Sequence, residues 1–216
     1  TLDQSDLEDI IRLVLDEARR QGADQAEVAA NHNYGLSATA RLGDVENLEY
    51  TNDRGVGVTV FHNSRQGSAS TSDFNVDALC ETVTKASTFA KYTAVDECTG
   101  LADAMLMASD IPNLELAHSW QIDTDTAIKY AIACEDAARN YDKRISNSEG
   151  ATVKTSSGVH AYGNTHGFID SFPKTRHSIS CSVVGESDGD MQRDYYYNTA
   201  RDANELETVE QIGETA

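Results

Sequence analysis

The sequence predicts an α+β protein: a mixed, largely antiparallel sheet with a few flanking helices, in two lobes joined near residues 92–121. Three observations carry that expectation. Apolar residues recur at helical spacing in three stretches, strand-like alternation fills most of the rest, and short turn signals separate the strand patterns.

The first helix follows a capping box formed by Ser5 and Glu8. Leu7, Ile10, Ile11, Val14 and Ala18 make its inner stripe, and Gly22 stops it. AEVAAN reads as a strand, followed by a second in which Leu36, Ala38, Ala40 and Leu42 alternate with polar residues. A turn at Gly43-Asp44 leads into the extended piece VENLEY. GVGVTVF has β-branched residues on both parities, as a strand buried on both faces would. HNSRQG turns it into the small-residue strand SASTS. A second helix is expected over about residues 75–91, with Val76, Leu79, Val83, Ala86 and Ala90 inward.

Residues 1–93 therefore form an amino-terminal lobe and 94–121 an irregular connection with one short helix. The second lobe, 122–202, opens with a helix capped by Asp123. Ile128, Ala131, Ile132 and Ala138 form its face, with Ile122 placed as a hydrophobic staple. A β-meander follows. In HSISCSVV, Ile179, Cys181 and Val183 face one way and Ser178, Ser180 and Ser182 the other, and Asp188-Gly189 is a hairpin signal before MQRDYYYN. Residues 203–216 resume helical character, as the start of a helix leading toward a further domain.

Thirty-six acidic residues against 17 basic ones give a formal charge of −19. Such a surface repels phosphate backbones and anionic membranes, and it suits basic or unfolded partners. No apolar run reaches the roughly 20 residues a membrane span needs. TLDQSDLEDI has neither the cationic start nor the apolar core of a signal peptide, and without an initial Met the chain reads as a piece of a longer one. Cys80, Cys98, Cys134 and Cys181 never form C-x-x-C and are expected to be reduced thiols in the cytoplasm.

HAYGNTH, His160 to His166, comes closest to a metal site. A helical two-histidine motif needs an i, i+4 spacing with Glu after the first His; here the spacing is six, and Gly163 and Asn164 oppose a helix. With Tyr162 opposite Phe168, the loop is Gly163–Gly167 and His160 faces Asp170. The turn reading is the stronger, since a structural zinc wants four ligands and a catalytic one three. GATVKTSSG has Val153 where a phosphate loop requires Gly before its Lys; no G-x-S-x-G exists; the glycines of GVGVTV lie inside a strand. No catalytic or metal-binding residue is expected. The charges and tyrosines of PKTRH and MQRDYYYN are open to two readings: contact with a peptide or partner, or cover for the sheet.

GADQAEVAA, ARLGDVENLEYTNDRGVGVTVFHNSRQGSASTSDF, KRISNSEGA, VHAYGNTHGF and TRHSISCSVVGESDGDMQRDYYYNTARD, in that order, resemble the amino-terminal half of the TldD/PmbA family, once called modulator of DNA gyrase. The segments are most similar to its PmbA branch, also called TldE. The resemblance implies a cytosolic metalloprotease in which TldD-type and PmbA-type subunits form a heterodimer that degrades or processes unfolded peptides and small proteins. It further implies that zinc sits on a His-Glu-x-x-x-His helix in the carboxy-terminal half of the TldD-type partner, and that this chain is a non-catalytic scaffold without a cofactor. No His-Glu-x-x-x-His occurs in the sequence.

Unfolded peptides can bind by adding a strand to an exposed sheet edge. The candidate contacts are Gly163, Asn164 and His166 at the hairpin tip, with Arg176 beside His177; the bland reading makes them ordinary turn residues. The alternative function, suggested by the family's older names, is a regulatory interaction with gyrase or an RNA-binding regulator.

Overall fold

The structure, a computed structural model, describes residues 2–216. In chain order the elements are α1 (Gln4–Arg20), β1 (Gln25–Arg41), β2 (Asp44–His62), β3 (Arg65–Thr71), α2 (Val76–Tyr92), a single 3-10 turn (Ala104–Leu106), α3 (Thr124–Tyr141), β4 (Ile145–Asn164), β5 (Ile169–Ser187), β6 (Asp190–Ala200), a second 3-10 turn (Ala203–Glu205) and α4 (Val209–Thr215). The strands form one six-stranded sheet in the order β3-β2-β1-β4-β5-β6. β2 pairs antiparallel with β3, and β5 with β6. β4 runs against β1, since Gly158 lies beside His32 and Thr152 bonds Thr39. The α+β, antiparallel expectation holds.

Several local expectations change. The capping box of α1 is Asp3 with Asp6: each carboxylate takes the other's N–H, at 3.0 and 2.9 Å. A carboxylate at this end also meets the positive pole of the helix, while Ser5 is left to donate to Asp3. AEVAAN and the alternating segment after it are one strand, β1, and VENLEY runs straight into GVGVTVF as β2. In β2 only one parity of GVGVTV is buried, Val56, Val58 and Val60, with Gly55, Gly57 and Thr59 on the other side. The Asn63-Ser64 and Asp188-Gly189 turns are where expected, and the first turn sits one residue earlier than Gly43-Asp44, at Leu42-Gly43; all six residues have positive φ.

The chain folds into two compact units, each assembled from three separated segments. The first takes the chain up to Asn33, Asp53–Leu114 and Gly158–Pro173. Leu7, Ile11, Val14 and Ala18 of α1 and Leu79, Val83, Ala86 and Ala90 of α2 share its core with Ala26, Val28 and Ala30 of β1 and the three valines of β2. Val76 belongs to the expected stripe but is exposed at the helix start. Gly67 fixes how closely α2 lies on β3, because a Cβ there would stand 2.1 Å from the Ala86 carbonyl oxygen.

The second unit takes Tyr34–Asn52, Glu115–Ser157 and Lys174–Ala216. Its core joins Leu36, Ala38 and Ala40 of β1 to Ala151, Val153, Ile179, Cys181 and Val183, under Ala127, Ala131, Cys134 and Ala138 of α3. Ile122, Ile128 and Ile132 flank this core and are only half-buried; the small residues take the face because the helix lies close to the sheet. Asp123 caps α3 at 2.7 Å from the Thr126 N–H. All four cysteines are free, Cys134 and Cys181 within the core.

Glu135 ties α3 to the β1–β2 turn. It is fully buried, and its two carboxylate oxygens accept the Leu42 and Gly43 N–H groups at 2.7 and 2.8 Å. Hydrogen bonds to a charged group contribute roughly 1.5–3 kcal/mol each, less the cost of burying the charge. Glu135→Ala is therefore expected to lower stability by about 2 kcal/mol in urea unfolding, and Glu135→Gln, which offers one oxygen, by less. An unchanged midpoint in Glu135→Ala would remove this contact from the account.

Candidate functional site

The HAYGNTH hairpin belongs to the first unit. The Asn164 N–H donates to the Phe168 carbonyl at 2.9 Å and Gly167 donates back to Asn164, so the loop is only Thr165–Gly167. This is tighter than the Gly163–Gly167 loop expected, and the His160 ring lies 5.5 Å from Phe172 instead of facing Asp170. Backbone pairing decided the register, a choice the side-chain pattern left open.

Asn164 organises the turn from inside. It is fully buried; its oxygen accepts the His166 N–H at 3.0 Å, and its amide reaches Met107 Sδ and the Tyr162 hydroxyl. Tyr162 donates to Glu27 at 2.9 Å. Burial pushes the Tyr162 phenol above its ordinary value; the Asn164 contact opposes that shift and Glu27 adds to it. Thr165 pairs with Ala26, and His166 Nε2 meets the Ala102 carbonyl at 3.1 Å. Gly163 is buried, with Ile11 and Ile169 close around it. Of the three tip residues, only His166 is exposed.

Arg176 and His177, in the second unit, sit on opposite faces of β5. Arg176 is exposed, and its Nε donates to Thr199. His177 is fully buried, with Nδ1 2.8 Å from the Thr155 hydroxyl and Nε2 2.9 Å from the His118 carbonyl. Thr175 adds bonds to Leu116 and His118, so β5 holds the 116–118 segment through both residues.

Sequence reasoning missed the open sheet faces. In the first unit, Gly57, Thr59 and Ser68 line a shallow groove of about 420 Å³ with Glu27, Ala29 and Tyr162. A Cβ on Gly57 would meet only Ser70, at 4.0 Å, so nothing inside the unit demands a glycine there. Strand glycines without an internal cause mark places where another backbone can approach. In the second unit, Ser178, Ser180 and Ser182 stand opposite Thr199, Tyr197 and Tyr195 on the side away from the core. The serine alternation in HSISCSVV was the available signal. It gives the parity of the strand, but not that this side lacks a helix.

Among the described residues, no three His, Cys, Asp or Glu side chains lie together as a metal would require. His177 bonds through both ring nitrogens, and the Nε2 atoms of His118 and His166 meet carbonyl oxygens. This donor set does not fit a zinc ion. No helix among the described residues is long and apolar enough to cross a membrane.

Residues 26–90 match the model of PmbA/TldA metallopeptidase domain 1, and 117–216 that of the PmbA/TldA metallopeptidase central domain. The chain belongs to the TldD/PmbA family. It is 43% identical over 191 residues to metalloprotease PmbA of Escherichia coli O157:H7, covering 88% of this chain and 42% of that one. A PmbA homolog of Haemophilus influenzae is 42% identical over 98% of this chain and 47% of its own length. The chain thus spans about half the length of these relatives. Two crystal structures share the fold. A Bacteroides thetaiotaomicron protein named for modulation of DNA gyrase has a TM-score of 0.89 at 22% identity, over 100% of this chain and 49% of that one. TldE of Thermococcus kodakarensis has a TM-score of 0.74 at 19% identity, over 97% of this chain and 46% of that one.

Asn164→Ala should cost about 2–3 kcal/mol in urea unfolding, because it empties a fully buried site and removes the acceptor of the His166 N–H together with the amide contacts to Met107 and Tyr162, whereas exposed His166→Ala should cost under about 0.5 kcal/mol. Equal losses would show that Asn164 does not hold the turn. Gly57→Ala should raise stability by about 0.5–1 kcal/mol, since a strand glycine gives up more backbone freedom than alanine; a fall in the thermal midpoint would mean the space beside it is not free.

Proposed function

We propose that this chain is the amino-terminal scaffold region of a PmbA-type subunit of a cytosolic metalloprotease complex that degrades or processes unfolded peptides and small proteins. The chain itself is non-catalytic, and the zinc belongs to a TldD-type partner subunit. One combination carries the reading: the sequence follows PmbA relatives through domain 1 and the central domain, yet its donor groups do not fit a metal.

The chain's own residues hold surfaces in place. Asn164 fixes the hairpin tip that presents His166, and His177 pins the 116–118 segment beneath the strand carrying Arg176. His166 and Arg176 are the sequence candidates a peptide can touch directly. Gly163, Asn164 and His177 support them from within.

The charge of −19 also fits a regulatory role on a basic protein, such as an RNA-binding regulator, or on gyrase. The deciding experiment co-expresses the full-length protein with its TldD-type subunit and assays cleavage of an unfolded peptide with and without a chelator. Co-elution and chelator-sensitive cleavage that needs both subunits are expected. Failure to co-elute, with salt-sensitive binding to gyrase instead, would favour the regulatory reading and sink this one.

A further inference from the structure

β6 ends the sheet, and its inner side pairs with β5 in an unbroken register of eleven residues, from His177↔Ala200 to Ser187↔Asp190. No strand pairs with its outer side among the described residues. Sheet edges are ordinarily guarded by proline, charged side chains, a bulge or brevity, because a long regular edge templates another strand. β6, DMQRDYYYNTA, has no proline or lysine, and its charged residues, Asp190, Arg193 and Asp194, all lie before Tyr195. The sheet's other edge is β3, only seven residues long, and beyond its last pair residues 44–54 of β2, a run that carries the acidic residues Asp44, Glu46, Glu49 and Asp53. Two of the β6 charges are engaged locally: Arg193 meets Glu149 at 2.8 Å, and the Asp194 carboxylate takes the Tyr195 N–H, also at 2.8 Å. From Tyr195 to Ala200 the strand carries no charge.

The orientation of the backbone follows from one contact. Ser182 Oγ donates to the Asp194 carbonyl, which therefore faces β5, so the Tyr195 N–H across the same trans peptide points outward. By the period of two, the backbone groups of Tyr197 and Thr199 also point outward. The Tyr195 and Tyr197 rings stack at 6.5 Å with a 9° interplanar angle, and are 60% and 56% exposed. An open groove of about 550 Å³ runs along Asp194–Thr199. On the other face, Tyr196 and Asn198 both bond Glu207, at 2.9 and 3.0 Å, so the edge is held rigid before anything binds.

We infer that the outer edge of β6 receives an extended, uncharged or basic peptide as an added strand, with Tyr195 and Tyr197 covering its side chains. This deepens the peptide-processing reading and rests on it. Charge selects the occupant: a second copy would bring −19 against −19, whereas a peptide with lysines between apolar residues is attracted.

The test uses a fluorescein-labelled acetyl-KVTVKVTVK-amide peptide and amide hydrogen exchange. Saturating peptide should slow exchange of the Tyr197 and Thr199 amides at least tenfold and leave residues 44–54 unchanged. Tyr197→Pro removes an outward N–H that the fold does not use, so binding should weaken at least tenfold with the thermal midpoint held within a few degrees. Tyr197→Thr keeps the N–H and should lose less. Protection at 44–54 instead of β6, or equal losses in the two variants, would overturn strand addition at this edge. So would protection of β6 by the TldD-type subunit or by a second copy without peptide. Cleavage of the same peptide by the two-subunit complex is read alongside: cleavage without β6 protection overturns only this inference, whereas no cleavage of any peptide overturns the functional reading beneath it.

Discussion

Period-two burial along β1 is the constraint on which the rest depends. Ala26, Val28, Ala30 and His32 are buried in the first unit, and Leu36, Ala38 and Ala40 in the second, all at even positions of one seventeen-residue strand. Five of those seven residues are Ala or Val. Small side chains let helices lie close to a sheet, and Gly67 takes this further by allowing α2 against β3. Because parity assigns one side of each strand to a core, the other side is left without a helix. The grooves, the serine row and the exposed tyrosines all arise from that allocation.

Much of this was legible in the sequence, for identifiable reasons. Turns were easiest: Gly43, Asn63 and Asp188-Gly189 occupy backbone conformations that few residues adopt without strain, so composition reports them directly. Helix faces were nearly as clear, with two exceptions: Val76, whose spacing fits the stripe but whose place at the helix start removes it from the core, and α3, where Ala127 and Cys134 take the face and Ile128 and Ile132 only flank it. Strand length was not legible. VENLEY and GVGVTVF differ sharply in polarity, and a strand half covered by a helix changes character without breaking. The register of HAYGNTH was also hidden, since a two-residue shift keeps every side chain on its face and only backbone hydrogen bonds distinguish the choices.

The candidate residues divide the same way. Asn164 and His177 stand out in sequence as polar residues in special settings, and they are special, but as buried hydrogen-bonding centres. Polarity signals that a group must be satisfied and says nothing about whether protein or ligand satisfies it. Their exposed neighbours, His166 and Arg176, depend on them for position and carry no distinguishing pattern of their own.

β1, β2, β4 and β5 each lend residues to both compact units. A single-residue insertion or deletion inside any of them would turn every later side chain of that strand to the opposite face. One unit would then present its apolar residues outward while the other stayed correct. Length variation among relatives should therefore collect at the tight turns and in the irregular stretch after α2, and the strand lengths should drift far more slowly than the sequences written on them.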